Sequence, residues 1–210
     1  MDILGHDEPT ILQKLSSITG KDPLNEKDVS FNDKKVMDIF TDCETLGIPE
    51  FGTDLVKKSL LEPIKPTTFS QLVQISGFSH GTDVWMQNQQ RIHKEGRLSL
   101  TKLLACREDI LNLLDRKGVD KENAFHATEF IRKGKWGKLA DNVKALLQGK
   151  LSDEEGELYF SILGKIKYIF PKPHAIAYTM TAWRTAYYKV YYPEAFYSVL
   201  LTYHAAVYDL

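Results

Sequence analysis

The run Phe170-Pro-Lys-Pro-His-Ala-Ile-Ala-Tyr178, which continues as Thr-Met-Thr-Ala-Trp-Arg-Thr-Ala-Tyr-Tyr-Lys-Val-Tyr-Tyr to Pro193, reads as one long helix bracketed by prolines. The residue before a proline is driven out of the helical region, so the preceding helix must stop ahead of Pro171. Pro173 then fits the first turn of the new helix, where its missing N–H costs nothing. Between these limits Ile176, Met180, Trp183 and Tyr187 recur at helical steps and predict an apolar stripe. His174, Tyr178, Thr181, Thr185 and Tyr188 recur in the same way and predict a second, polar-tipped stripe.

The same period dominates the chain on either side. Leu100, Leu103, Leu104, Ile110, Leu111 and Leu114 predict a helix between Ser99 as N-cap and Gly118 as its stop. Ser152-Asp-Glu-Glu155 reads as a capping box opening a helix through Leu158, Ile162, Leu163 and Ile166. Weaker helical patterns cover 9–18, 33–40, 54–61, 69–75 and 83–93, and a short helix follows from Glu194. Lys21 to Phe31 is polar and irregular and predicts an exposed connection; only Met1–Leu4 hints at a strand. The expected fold class is mostly α.

Composition narrows the function classes. With 43% hydrophobic and 26% charged residues, the 210-residue chain is that of an ordinary globular protein with a real core. No apolar run approaches the roughly 20 residues that span a bilayer. The opening Met-Asp-Ile-Leu-Gly-His-Asp-Glu is acidic where a signal peptide is basic, so the expected location is cytoplasmic. Cys43 and Cys106 stand far apart with no C-x-x-C pattern, which argues against a zinc site or a disulfide framework. Met1 to Glu62 holds 13 acids against 7 Lys/Arg, whereas the remainder holds 15 against 20. No Asp or Glu occurs between Glu157 and Glu194, an interval that carries Lys165, Lys167, Lys172, Arg184 and Lys189. Such a stretch suggests a surface facing phosphates, with a merely solvated basic face as the alternative.

Three constellations carry candidate chemistry. Lys172, His174 and Tyr178 put a cation, an imidazole and a phenol at the start of one helix, where anions are favoured. Lys and His suit a triphosphate and the phenol suits the flat face of a base; ordinary helix packing is the alternative. Arg132, Lys133, Lys135 and Lys138 surround two glycines and Trp136, and read either as a phosphate clamp or as a basic helix C-terminus. Ser79, His80, Gly81, Thr82 and Asp83 read as a tight loop presenting small donors, with Thr82 or Asp83 capping the next helix. The adjacent Ser79, His80 and Asp83 also raise a small hydrolase, but triads are assembled from separated positions, and no strand precedes this serine.

Four ordered segments resemble the PolC-type DNA polymerase III alpha subunits, which are C-family bacterial replicative polymerases. They are Asp2-Ile-Leu-Gly-His-Asp7, Thr45-Leu-Gly-Ile-Pro-Glu-Phe-Gly-Thr53, Ser79-His-Gly-Thr-Asp-Val-Trp85 and Phe170-Pro-Lys-Pro-His-Ala-Ile-Ala-Tyr178. The resemblance runs over nearly the whole chain. It implies a multi-helix fingers domain over 8–193, the end of a palm strand over 1–7, and the approach to a duplex-binding region over 194–210. It further implies DNA-directed DNA synthesis, with template-primer, dNTP and the palm, thumb and duplex-binding domains as partners, and sliding-clamp contacts made elsewhere. In such enzymes three aspartates hold two Mg2+ ions. Asp2 matches the third of these, as a catalytic metal ligand, while the D-x-D pair has no counterpart. The resemblance places Lys172, His174 and Tyr178 on the helix facing the nascent base pair, Arg132, Lys133 and Lys135 near phosphates, and Ser79 and His80 in a loop on the same cleft. A polymerase fragment inactive by itself is the implied function; a non-enzymatic helical domain binding nucleic acid through the Lys165–Lys189 face is the alternative.

Overall fold

A computed structural model describes residues 7–204, which are helical throughout apart from their connections. Eleven helical segments are seen among them: α1 Glu8–Thr19, α2 Lys34–Thr41, α3 at 54–64, α4 Phe69–His80, α5 Gln90–Lys94, α6 Arg107–Arg116, α7 Lys121–Ile131, α8 Asp141–Lys150, α9 Glu154–Lys165, α10 Lys172–Tyr191 and α11 Pro193–His204. The mostly α fold expected from the periodicity is what forms. The strand at Met1–Leu4 lies outside the described residues. The chain divides into two compact units, one holding the described residues up to Leu72 and those from Ala177, the other holding Val73–Ile176.

The first unit closes around Trp183, which is 1% exposed. Its indole stacks on Phe40 nearly parallel and on Phe31 at a 28° tilt, each at 6.1 Å, and meets the edge of Phe69 at 5.8 Å. Its Nε1 donates to the Ser30 carbonyl at 2.9 Å, so the polar atom of the largest core side chain is satisfied. Local chemistry sets the helices around it. Asp33 caps α2 by accepting from Val36 N–H, Thr53 caps α3 in the same way, and α1 ends at Gly20 with φ 70°. α1 packs on α11. The Lys21–Phe31 connection is irregular, as expected, but it is docked as well as exposed. Val29 is buried, and the Lys21 carbonyl accepts from the Tyr188 hydroxyl at 2.6 Å.

That hydrogen bond corrects the reading of α10. Thr185 and Tyr188, assigned to the polar-tipped stripe, are buried, whereas Ile176 of the apolar stripe is 37% exposed. The hydroxyls go inward because each finds a carbonyl, Thr185 that of Thr181 and Tyr188 that of Lys21.

In the second unit the expected single helix from Leu100 is interrupted. A short turn at Leu100–Lys102 leads to an extended segment, and α6 begins only at Arg107. Gln89 explains the break. Its buried amide donates to the Leu104 and Val84 carbonyls and accepts from Leu104 N–H, which pairs the extended backbone as a neighbouring strand would. The predicted stop at Gly118 holds, with φ 73° just past α6. The cap of α9 is Asp153, one residue later than Ser152, with its side chain accepting from Gly156 N–H. The 83–93 pattern is not one helix. Trp85–Gln89 is an irregular turn with Gln87 at φ 60°, and α5 follows it.

Candidate functional site

α4 runs to His80, so Ser76 to His80 are helical and the turn is confined to Gly81–Asp83. Neither Thr82 nor Asp83 caps a helix. Asp83 takes φ 55°, and its carbonyl accepts from the buried Asn88 side chain. Thr82 pairs antiparallel with Tyr168, N–H to carbonyl at 2.8 and 3.2 Å. A β-carbon on Gly81 would lie 2.3 Å from Val84 Cγ2 and 3.1 Å from the Tyr168 carbonyl oxygen, so a side chain here would displace the buried Val84 and crowd the crossing backbone.

The crossing brings the end of α4 to the start of α10. His174 stacks on Phe170 with ring centroids 4.7 Å apart, and His80 meets His174 edge-on at 5.0 Å. Tyr168 packs its edge on Phe170 at 4.7 Å. Ser79 is committed locally, its hydroxyl donating to the Ser76 carbonyl at 2.9 Å. The same carbonyl lies 2.6 Å from His80 Nδ1. A carbonyl only accepts, so Nδ1 carries the proton and cannot serve as a base toward Ser79, 3.4 Å away. That geometry removes the hydrolase reading.

Lys172 is held by the corner that opens α6. Its ammonium donates to Asp109 Oδ1 at 2.8 Å, and its backbone N–H donates to Glu108 Oε2 at 2.6 Å. Arg107 joins the same corner, its N–H donating to the Phe170 carbonyl and its guanidinium to Glu108 Oε1 at 2.8 Å. Burial pulls the Lys172 ammonium toward neutrality, but the Asp109 hydrogen bond and charge outweigh it and raise its pKa. Beside this corner the Cys106 thiol is pushed up to about 12, by burial first and the Asp109 charge second. It is an inert core thiol.

The Arg132 block lies next to these residues through the backbone, since Ile169 N–H donates to the Arg132 carbonyl at 3.1 Å. Glu129 gathers its cations: Arg132 Nε donates to it at 2.7 Å, while Lys133 lies at 3.7 Å and Arg107 at 3.9 Å. The Arg132 hydrogen bond holds the Glu129 carboxyl below its usual range, and the same bond raises the guanidinium. Lys135 is exposed. Gly134, one of the two glycines in this block, serves a close approach within the chain. With φ 65°, its α-carbon faces Lys167, whose carbonyl oxygen a β-carbon would meet at 2.4 Å.

The acid-free interval in sequence is therefore not acid-free in space. Lys189 donates to the carbonyls of Glu44 and Leu46, and Arg184 lies 5.6 Å from the Phe31 ring centroid. Lys165 and Lys167 remain exposed. Tyr178 is half-buried and belongs by packing to the first unit. Asp2 lies outside the described residues. Among the described residues no group of three His, Cys, Asp or Glu could hold a metal ion, and no helix is long and apolar enough to cross a membrane. Sequence reasoning missed Arg107, Glu108, Asp109 and Glu129. The visible signal was Cys106-Arg-Glu-Asp109, two acids in the first turn of a helix.

Residues 8–154 match the model of the bacterial DNA polymerase III alpha subunit finger domain. The whole chain is 43% identical over 224 residues to the DNA polymerase III PolC-type of Caldanaerobacter subterraneus subsp. tengcongensis. It is 42% identical to that of Staphylococcus saprophyticus and 40% identical to that of Streptococcus thermophilus. In each case it spans 15% of the relative's length.

Proposed function

The chain belongs to the finger-domain family of bacterial DNA polymerase III alpha subunits, and from that premise we propose that it supplies nucleotide-binding residues to a PolC-type DNA-directed DNA polymerase. The observation that carries this reading is the convergence of His80, Phe170, Lys172 and His174 on the start of α10, with Arg107, Arg132 and Lys133 close by in the same network. Phosphoryl transfer depends mainly on positioning and charge neutralisation, so cations fixed in this way contribute without touching a metal. Lys172, His174, Arg132, Lys133 and Lys135 are proposed to meet the triphosphate and nearby phosphates. Tyr178 is proposed to lie against the nascent base pair, and Ser79 and His80 to line the same cleft.

Asp2 is proposed as one ligand of two Mg2+ ions in the assembled enzyme. The remaining ligands of that pair of ions are proposed to be palm carboxylates outside the described residues. Residues 1–7 would close the palm, 8–193 would form the fingers, and 194–210 would lead to the duplex-binding region. Template-primer, dNTP and the palm, thumb and duplex-binding domains are the proposed partners, with sliding-clamp contacts elsewhere in the enzyme and a cytoplasmic location. The test is dNTP binding to the polymerase that carries this segment. Lys172→Ala and Tyr178→Ala should weaken it strongly and Lys57→Ala should not. Equal binding by all three would sink the reading, as would amide signals around His174 that do not move with dNTP.

A further inference from the structure

The role proposed for Lys172 depends on where its ammonium rests, and a four-carbon stem fixes that poorly by itself. In this chain both ends of the residue are held. Glu108 Oε2 takes the backbone N–H at 2.6 Å and Asp109 Oδ1 takes the ammonium at 2.8 Å. Neither carboxylate is loose. Glu108 Oε1 accepts from the Arg107 guanidinium at 2.8 Å. Asp109 Oδ2 accepts from the N–H groups of Ala105 and Cys106 at 3.0 and 2.9 Å. The segment carrying those two amides is itself fixed, because Gly77 of α4 packs against it with no room for a β-carbon.

We infer that Asp109, with Glu108 beside it, is a positioning residue for Lys172 that holds the ammonium where it meets the triphosphate and acts only through it. The inference rests on the nucleotide-binding role proposed for Lys172. Two effects of Asp109 compete. Its charge weakens the pull of the ammonium on a phosphate, while its hydrogen bond removes the search over lysine rotamers. The second wins here, because two backbone N–H groups on the other oxygen offset part of the carboxylate charge. An ammonium also has three donors, of which Asp109 needs one.

The test is steady-state dNTP incorporation on primed template by the full-length polymerase carrying this segment. The variants are Asp109→Asn, Lys172→Ala and the double substitution. Asparagine keeps an oxygen for the Ala105 and Cys106 amides but turns an NH2 toward the ammonium. Asp109→Asn should raise the dNTP KM by about two- to fivefold, the size expected for a partly exposed charged pair. Lys172→Ala should raise KM, and adding Asp109→Asn to it should change nothing further. KM is read rather than kcat because a misfolded fraction lowers kcat and leaves KM alone. If Asp109→Asn lowers KM or leaves it unchanged while Lys172→Ala raises it, the inference is overturned and the nucleotide-binding role stands. Equal increases in both backgrounds overturn it too, by showing a general structural effect. If Lys172→Ala itself leaves KM unchanged, the role of Lys172 fails, and the inference with it.

Discussion

Replacing Gly77 by alanine sets two effects of opposite sign against each other. Gly77 lies inside α4, where alanine is favoured over glycine by about 1 kcal/mol and also restricts the unfolded chain. Against this, a β-carbon at 77 would sit 2.6 Å from the Ala105 carbonyl oxygen and 2.8 Å from Cys106 Sγ. Ordinary contact begins near 3.4 Å, so the neighbouring strand of backbone must retreat. It cannot do so freely. The amides of Ala105 and Cys106 are bonded to Asp109, and both residues are fully buried. Overpacking against such a wall costs about 3 kcal/mol, the upper end of its usual range, leaving a net loss of about 2 kcal/mol. Gly149 in α8 is the control, since a β-carbon there meets nothing within 4 Å. Gly149→Ala should stabilise by about 0.5–1 kcal/mol. Urea and thermal unfolding followed by circular dichroism should then separate the two variants by roughly 5–10 °C in Tm, on the scale of 2–4 °C per kcal/mol for a chain of this size. A Gly77→Ala protein as stable as Gly149→Ala would refute the tight approach of α4 to the 105–106 segment.

Trp183→Ala should cost about 3–5 kcal/mol, because it empties the centre of an aromatic cluster and leaves the Ser30 carbonyl without its donor; a change under 1 kcal/mol in chemical denaturation would contradict that packing. Gln89→Leu should destabilise by more than 3 kcal/mol, since three backbone groups of Val84 and Leu104 lose their partner at about 1–3 kcal/mol each; a near-neutral unfolding midpoint would show that water replaces the amide. The Tyr159 and Tyr188 hydroxyls are pushed up to about 12, by burial first, from an ordinary value of 10. A raised phenol pKa contributes stability that is present below pH 10 and is lost as pH rises through about 12, so stability should fall across that window. Tyr188→Phe should flatten the fall, and an unchanged pH profile would count against the assignment.

Features set by nearest neighbours were legible in the sequence. The prolines at 171, 173 and 193 bracket α10 because their effect is steric and local, and Gly118 ends α6 for the same reason. α7 and α8 escaped notice because their buried stripes are thin. α7 buries Ala124, Ala127, Thr128 and Ile131, and α8 buries only Val143 and Leu147. Small side chains fill a helix interface without raising the apolar period. At the candidate site the cations were legible and their partners were not. Lys172 meets Asp109 across 63 residues, and Lys189 meets the Glu44 carbonyl across 145. Pairings of that kind depend on how elements pack, which no spacing along the chain encodes.

The order in which the two units occur along the chain has a consequence for synthesis. Val73–Ile176 is continuous and can be completed as it leaves the ribosome. The other unit is begun before it and finished after it: Phe31, Phe40 and Phe69 emerge early, and the Trp183 that covers them comes more than 100 residues later. At about 5–20 residues per second that interval is roughly 5–20 s, far longer than collapse of a short chain. During it three aromatic rings wait without their central partner. Nascent chains halted between Leu72 and Ala177 should therefore be the ones that chaperones hold.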